Sequence, residues 1–199
     1  MNSRDKILQK VRKNQPPLIN LPELIQFNAG TSKYDQFESV LRFIGGTVIP
    51  AASYADILEH IMQEYPEKIR MVTTVAELIG IGEQKKAEQE LHLLADVDLA
   101  VIKAKFGVAE NGALWVTDNQ LGKERVLPFI CQHLAVILER NQIVPGMHEA
   151  YKLIGMDNYD FGTFIAGPSK TADIEQSLVL GAHGAKSMTV YVINNQDPL

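Results

Sequence analysis

164-FIAGPSKTADIEQSLVLGAHGAK-186 opens as a short apolar run and breaks at Gly167 and Pro168. It restarts with a polar head followed by apolar residues at helical spacing, and closes in a turn from Gly181 to Gly184. The pattern predicts a strand, a turn, a helix and a second turn. In such a unit the helix N-terminus sits at the carboxyl edge of a sheet, where free backbone N–H groups and the helix dipole favour a bound anion. Gly167, Ser169, Lys170 and Thr171 occupy that turn and His183 lies in the next one, so all five are candidate ligands for a small carboxylate or phosphate. The competing reading is a helix capped by Ser169 or Thr171, with Asp173 and Glu175 complementing its dipole.

Working outward, helices and strands alternate. Phe37, Val40, Leu41 and Ile44 mark a helix from Lys33 that stops at Gly45-Gly46, and Thr47 to Pro50 follows as a strand. Tyr54 to Tyr65 repeats the helical period, and Ile69 to Thr73 reads as a second strand. Parallel strands need such crossovers, so the alternation predicts an α/β layer with a mostly parallel sheet. Asp98 to Lys105 and Leu114 to Asp118 read as strands flanking Asn111-Gly112, a tight-turn signal that predicts an antiparallel hairpin against the parallel sheet. The charged run Glu83 to Glu90 reads as a solvated helix or loop. Leu134 to Leu138 is apolar throughout, as a buried strand is. Pro145 opens a helix through Leu153, and Thr163 to Ala166 and Met188 to Ile193 are the remaining strands.

Residues 1–32 read as an arm ahead of a single domain at 33–199. Residues 3 to 13 form a basic amphipathic helix that Ser3 is placed to cap, and Pro16 to Gly30 carries prolines without a sustained period. The helix suits an anionic membrane or a partner, though a solvated arm with one packed stripe is the commoner outcome.

Composition narrows the function classes. A chain of 199 residues with 46% hydrophobic and 22% charged residues can bury one core. The net charge of −5 and the lack of a basic stripe argue against a nucleic-acid partner. A single cysteine, Cys131, cannot supply the ligands of an all-cysteine metal or iron–sulfur site. The expected cofactor content of this chain is therefore none. No transmembrane run and no export segment are read, which predicts a cytoplasmic protein. Neither G-x-x-x-x-G-K-[ST] nor G-x-G-x-x-G after a strand occurs, so a Walker ATPase and a standard dinucleotide enzyme are not indicated.

Four further groups bear on chemistry. Glu110, beside the Asn111-Gly112 turn, suits a nucleophile or a substrate acceptor, and equally a carboxylate that holds the turn through backbone N–H groups. Arg125 offers the two-pronged donor that a carboxylate ligand needs, its bland alternative being a surface arginine. His133, ahead of the apolar strand, and His183, in the glycine-rich turn, are each either proton-transfer groups or imidazoles satisfied by backbone. The five histidines show no metalloprotease spacing.

GPSKTADIE followed by GAHGAK resembles the C-terminal signature of the LUD-domain, or lactate-utilisation, family, with Ala185 where that signature more often has Pro. Arg125 and His133 occupy places the family pattern also fills. Glu110-Asn111-Gly112 resembles the motif around the glutamate of class I CoA-transferases, although Ala109 stands where those enzymes usually have Ser and Leu114-Trp115 where they have small residues. Both resemblances imply the NagB/RpiA/CoA-transferase-like fold. The lactate-utilisation resemblance also implies a role in oxidising L-lactate to pyruvate alongside partner proteins that carry iron–sulfur clusters, with this chain binding a small carboxylate. The alternatives are a free-standing CoA-transferase-like or acyl-thioester-hydrolysing enzyme that uses Glu110, and an anion-binding module without turnover.

Overall fold

A computed structural model describes residues 2–20, 32–65, 69–78, 94–174 and 177–194. The charged run at 83–90, His92 and the second half of the arm ending at Gly30 lie outside the described residues. The chain divides into two compact units, Met1–Gly30 and Thr31–Leu199. In the first, α1 (Ser3–Lys13) is capped by Asn2, one residue ahead of the expected Ser3; the Asn2 side chain accepts from the Asp5 N–H at 2.8 Å.

The second unit is built on five parallel strands: β1 (Thr47–Ala51), β2 (Met71–Thr73), β3 (Leu99–Lys103), β6 (His133–Glu139) and β11 (Ser187–Ile193). They lie in the order β1-β11-β6-β3-β2. The central strand β6 buries its apolar run Leu134 to Leu138 because both faces are covered, which is why that run is continuous rather than alternating. On one face, helix α3 (Tyr54–Glu64) sets Ile57 and Ile61 against Val101, Ala135, Ile137 and Tyr191. On the other, helix α2 (Lys33–Phe43) contributes Phe37 and Leu41 to a cluster with Val136, Leu138, Val190 and Val192.

A second sheet shares that cluster. Its strands β4 (Phe106–Val108), β5 (Ala113–Thr117), β7 (Ile143–Val144) and β8 (Gly162–Ile165) lie in the order β7-β4-β5-β8, and Leu114, Val116 and Ile143 face the first sheet's core. The expected hairpin is present: β4 and β5 pair antiparallel around the Asn111-Gly112 turn, with Gly112 at φ +68°. Its first arm is not the end of β3, however. The chain leaves the parallel sheet after Lys103, and Phe106–Val108 is a separate strand. Short helices α4 (Asp118–Leu121) and α5 (Leu127–Ile130) follow β5, and α6 (Met147–Ile154) covers the outer face of the second sheet through Ala150.

The quoted segment departs from its sequence reading. No helix follows Gly167-Pro168; β9 (Lys170–Ile174) and β10 (Ser177–Leu180) form an antiparallel pair instead. A ten-residue stretch fits either period: Ile174 and Leu178 stand one helical turn apart, while Thr171, Ile174 and Val179 are β-branched. Gly181, at φ +76°, ends the hairpin, and its N–H donates to the Ser169 carbonyl at 3.0 Å. With the helix goes its N-terminus, the physical basis for placing an anion at Gly167, Ser169, Lys170 and Thr171.

Candidate functional site

The sequence-selected residues fall in four places. Glu110 is exposed, and its Oε2 accepts from the Met147 N–H at 2.8 Å, so the carboxylate caps α6 at a terminus where Gly146 has no side chain to do so. Arg125 pairs with Asp118 at 3.3 Å, its guanidinium carbon 5.5 Å from the centre of the Phe161 ring. Gly167 holds φ +72° where a Cβ would lie 2.9 Å from the Ile44 carbonyl oxygen, and the Lys170 ammonium donates to the same carbonyl. Ser169 donates its N–H to Ala185 at 2.9 Å, which packs the turn against the Gly181 to Ala185 loop, where His183 is exposed. His133 is linked through Ser187 and Tyr65 to the rim of a cavity that it does not itself line.

That cavity lies at the amino edge of the parallel sheet, under the last turn of α3. The helix needs Ile57 and Ile61 inward, and this rotation brings His60 and Glu64, one turn apart, over the first residues of the strands. The volume is about 150 Å³. Ile49, Ile61, Leu99, Leu134 and Ala135 give it an apolar floor, and Thr47, His60, Glu64, Tyr65, Thr189 and Tyr191 give it a polar rim.

Two hydrogen-bonded chains fix the rim. His60 Nδ1 and the Tyr191 hydroxyl share a hydrogen bond at 3.0 Å, with the rings edge to face and 5.6 Å apart. Tyr191 is only 2% exposed; burial, then the nearby Tyr65 and Glu64, push its hydroxyl pKa well above the usual phenol value. In the second chain His133 Nδ1 and the Ser187 hydroxyl share a hydrogen bond at 2.7 Å, and Ser187 also bonds the Tyr65 hydroxyl. Burial raises the Tyr65 pKa, while the bond from Ser187 acts the other way. The Tyr65 and His133 rings lie 5.4 Å apart. Cys131 is beside this chain, buried, with its thiol pushed up to about 12 by burial. Such a thiol is not a nucleophile at neutral pH.

The rim therefore offers hydroxyl and imidazole groups beside the Glu64 carboxylate. The lining contains neither Lys nor Arg. A small molecule with an apolar body and a carboxyl, carbonyl or hydroxyl group suits it, and a phosphate ester does not. At the opposite, carboxyl edge the Lys103 ammonium is bound by Glu139 at 3.2 Å and by Tyr54. Sequence reading missed His60, Tyr65, Ser187 and Tyr191. Each looks like part of ordinary amphipathic patterning, and they meet only through the packing of α3 on β11 and the pairing of β11 with β6.

Residues 66–193 match the LUD domain. The chain belongs to the LUD-domain family. Lactate utilization protein C of Bacillus pumilus (strain SAFR-032) is 30% identical over 115 residues, 55% of this chain and 48% of that protein. Lactate utilization protein C of Exiguobacterium sp. (strain ATCC BAA-1283 / AT1b) is 27% identical over 118 residues, 56% of this chain and 50% of that protein. Lactate utilization protein C 1 of Bacillus mycoides (strain KBAB4) is 28% identical over 123 residues, 59% and 51% of the respective chains. This LUD-domain chain thus spans about half the length of these relatives. Among solved structures, a DUF162 family protein from Deinococcus radiodurans aligns with a TM-score of 0.56 at 16% identity, over 82% of this chain and 99% of that one. At that identity the likeness shows the fold: mixed α/β, with a mostly parallel central sheet and an antiparallel hairpin. Among the described residues no helix is long and apolar enough to cross a membrane.

Proposed function

We propose that this LUD-domain chain acts in lactate utilisation, binding a small carboxylate in the amino-edge cavity and working with iron–sulfur partner proteins in the oxidation of L-lactate to pyruvate. The observation that carries this reading is the LUD match over 66–193, joined to relatives that bear the name lactate utilization protein C. Oxidation of an alcohol to a ketone removes a hydride equivalent and a proton, so an electron acceptor is required. A single buried cysteine cannot ligate a cluster by itself, which is compatible with a reading in which partner proteins carry the electrons. The chain's own share is to bind and orient the acid and to offer hydroxyl and imidazole groups for its proton.

The reading in which Glu110 attacks an acyl thioester gains no support from the geometry. Its Oε2 is engaged by the Met147 N–H, and Glu110 is not among the residues lining the described cavity. Incubation with acyl-CoA should leave the chain's mass unchanged.

The deciding assay is anaerobic lactate turnover with an artificial electron acceptor, using this chain, candidate iron–sulfur proteins encoded beside it, and both together. Turnover should appear only in the mixture. Turnover by the chain alone, or by the other proteins at full rate without it, would contradict the proposal.

A further inference from the structure

The amino-edge cavity has an unusual charge balance for a site that takes an anion. A volume of about 150 Å³ matches a cavity that holds benzene, a ligand of about six non-hydrogen atoms. Lactate and pyruvate have that size. The apolar floor of Ile49, Leu99 and Ala135 suits a methyl or methylene group, and the hydroxyls of Tyr65, Tyr191, Thr47 and Thr189 suit carboxyl oxygens. Yet the fixed charge on the rim is negative, at Glu64, with no Lys or Arg to offset it. Lys186, next to Ser187 in sequence, carries its side chain against Gly181.

Glu64 is solvent-exposed, so the cost of a second negative charge falls mainly on the part of the cavity under the buried Tyr191 hydroxyl, where a positive charge arriving with the ligand offsets it. His60 is the lining group whose side chain can carry a positive charge. Its Nδ1 is held by Tyr191, and its Nε2 has no hydrogen-bond partner among the described residues. The groups around it are Glu64 and, engaged with Ala52, Ser53 and Gln63, Asp56 and Glu59 from α3; Tyr65 just after it; Tyr191 from β11; and His133 from β6, reached through Tyr65 and Ser187. β1 and β3 present Thr47, Ile49 and Leu99 to the cavity, none of them titratable.

We propose that the cavity binds a small monocarboxylate together with a proton, and that the His60 imidazole carries this proton beside the bound carboxylate. The proposal rests on the carboxylate-binding part of the proposed function and deepens it. Binding is electroneutral as a consequence, which excludes dicarboxylates and phosphate and favours acids with a short apolar body. Tyr191 fixes the ring through Nδ1 and leaves Nε2–H as the donor to the ligand.

The test is titration calorimetry of the full chain with L-lactate and with pyruvate between about pH 6 and about pH 8.5, in buffers of differing ionisation heat. The affinity should fall about tenfold per pH unit above the ordinary imidazole range, with close to one proton taken up per ligand there. Malonate and phosphate should bind more weakly than lactate at every pH. H60Q keeps a partner for Tyr191 but cannot take the proton, so a folded H60Q should bind weakly with a flat pH profile, while H133Q should keep the slope. As a check that needs no variant, imidazole NMR of the wild-type chain should show one histidine titrating at higher pH when lactate is present. Binding that ignores pH, a retained slope in folded H60Q, a slope lost only in H133Q, no histidine shift, or no binding of either acid would overturn the proposal. Turnover with partner proteins reads the broader function separately. A chain that supports turnover yet fails here loses only this inference, and one that binds with a proton yet is dispensable for turnover loses the lactate-utilisation reading.

Discussion

Glu110 shows how one side chain changes meaning between sequence and structure. A carboxylate next to an Asn-Gly turn fits a nucleophile and a backbone acceptor equally, and nothing local decides between them. The decision comes from α6, which starts beside the turn with a glycine as its N-cap and therefore needs an acceptor from elsewhere. Glu110→Ala should lower stability by about 1 kcal/mol, the usual cost of a lost cap and of its favourable dipole interaction. Thermal or urea unfolding reads this directly, and lactate affinity should stay unchanged. Gly162 makes the same point about space: a Cβ there would lie 2.4 Å from the Trp115 ring. Gly162→Ala must move the indole, and because Trp115 is the chain's single tryptophan, its fluorescence should shift to longer wavelength as the ring leaves its 5%-exposed position. An unchanged spectrum would mean that the β5 and β8 contact is looser than described.

At the scale of elements, what the sequence disclosed follows from how strongly each segment depends on its own residues. α2 and α3 were legible because their buried residues recur at helical spacing behind Ser32 and Ser53 caps, and β6 and β11 because their apolar runs are nearly continuous. The hairpin β9 and β10 was not, because the stretch after Pro168 is short enough to satisfy both periods and its pairing is settled by backbone bonds to Ala185 and Gly181. β4 was missed for a related reason: three residues of strand directly after β3 look like its continuation until the second sheet claims them. Of the residues selected from the sequence, His133 is joined to the cavity rim only indirectly, through Ser187 and Tyr65. Its partners come from α3 and β11, distant in sequence, and a parallel register cannot be read from composition. Gly167→Ala tests the loop that replaced the expected helix. Its φ of +72° and the Ile44 carbonyl 2.9 Å from the new Cβ predict a loss of about 1–3 kcal/mol, where a residue in an ordinary helix entry would tolerate alanine.

For the molecule as a whole, buried neutral acids set the alkaline limit of stability. Burial raises the pKa of Tyr34, Tyr54, Tyr65 and Tyr191, and lifts Cys131 from 9.0 to about 12. In each case the folded state binds its proton more tightly than the unfolded chain. The contribution to stability is therefore complete below the unfolded pKa and is lost as pH rises through the folded one. Urea midpoints should hold up to about pH 9 and then fall, first through Cys131 and above about pH 10 through the tyrosines. Cys131→Ala should flatten the early part of that decline, and absorbance at tyrosinate wavelengths should rise together with unfolding rather than before it.

The ligand site proposed for this LUD domain is the amino-edge cavity rather than the turn at residues 167–171 that the sequence pattern favours. Chemical-shift mapping of the isotope-labelled full chain on addition of L-lactate tests it most directly. The largest shifts should gather on His60, Tyr65, Thr189 and Tyr191, with Glu110 and residues 167–171 unmoved. Shifts centred on 167–171 and His183, with the cavity residues silent, would contradict it.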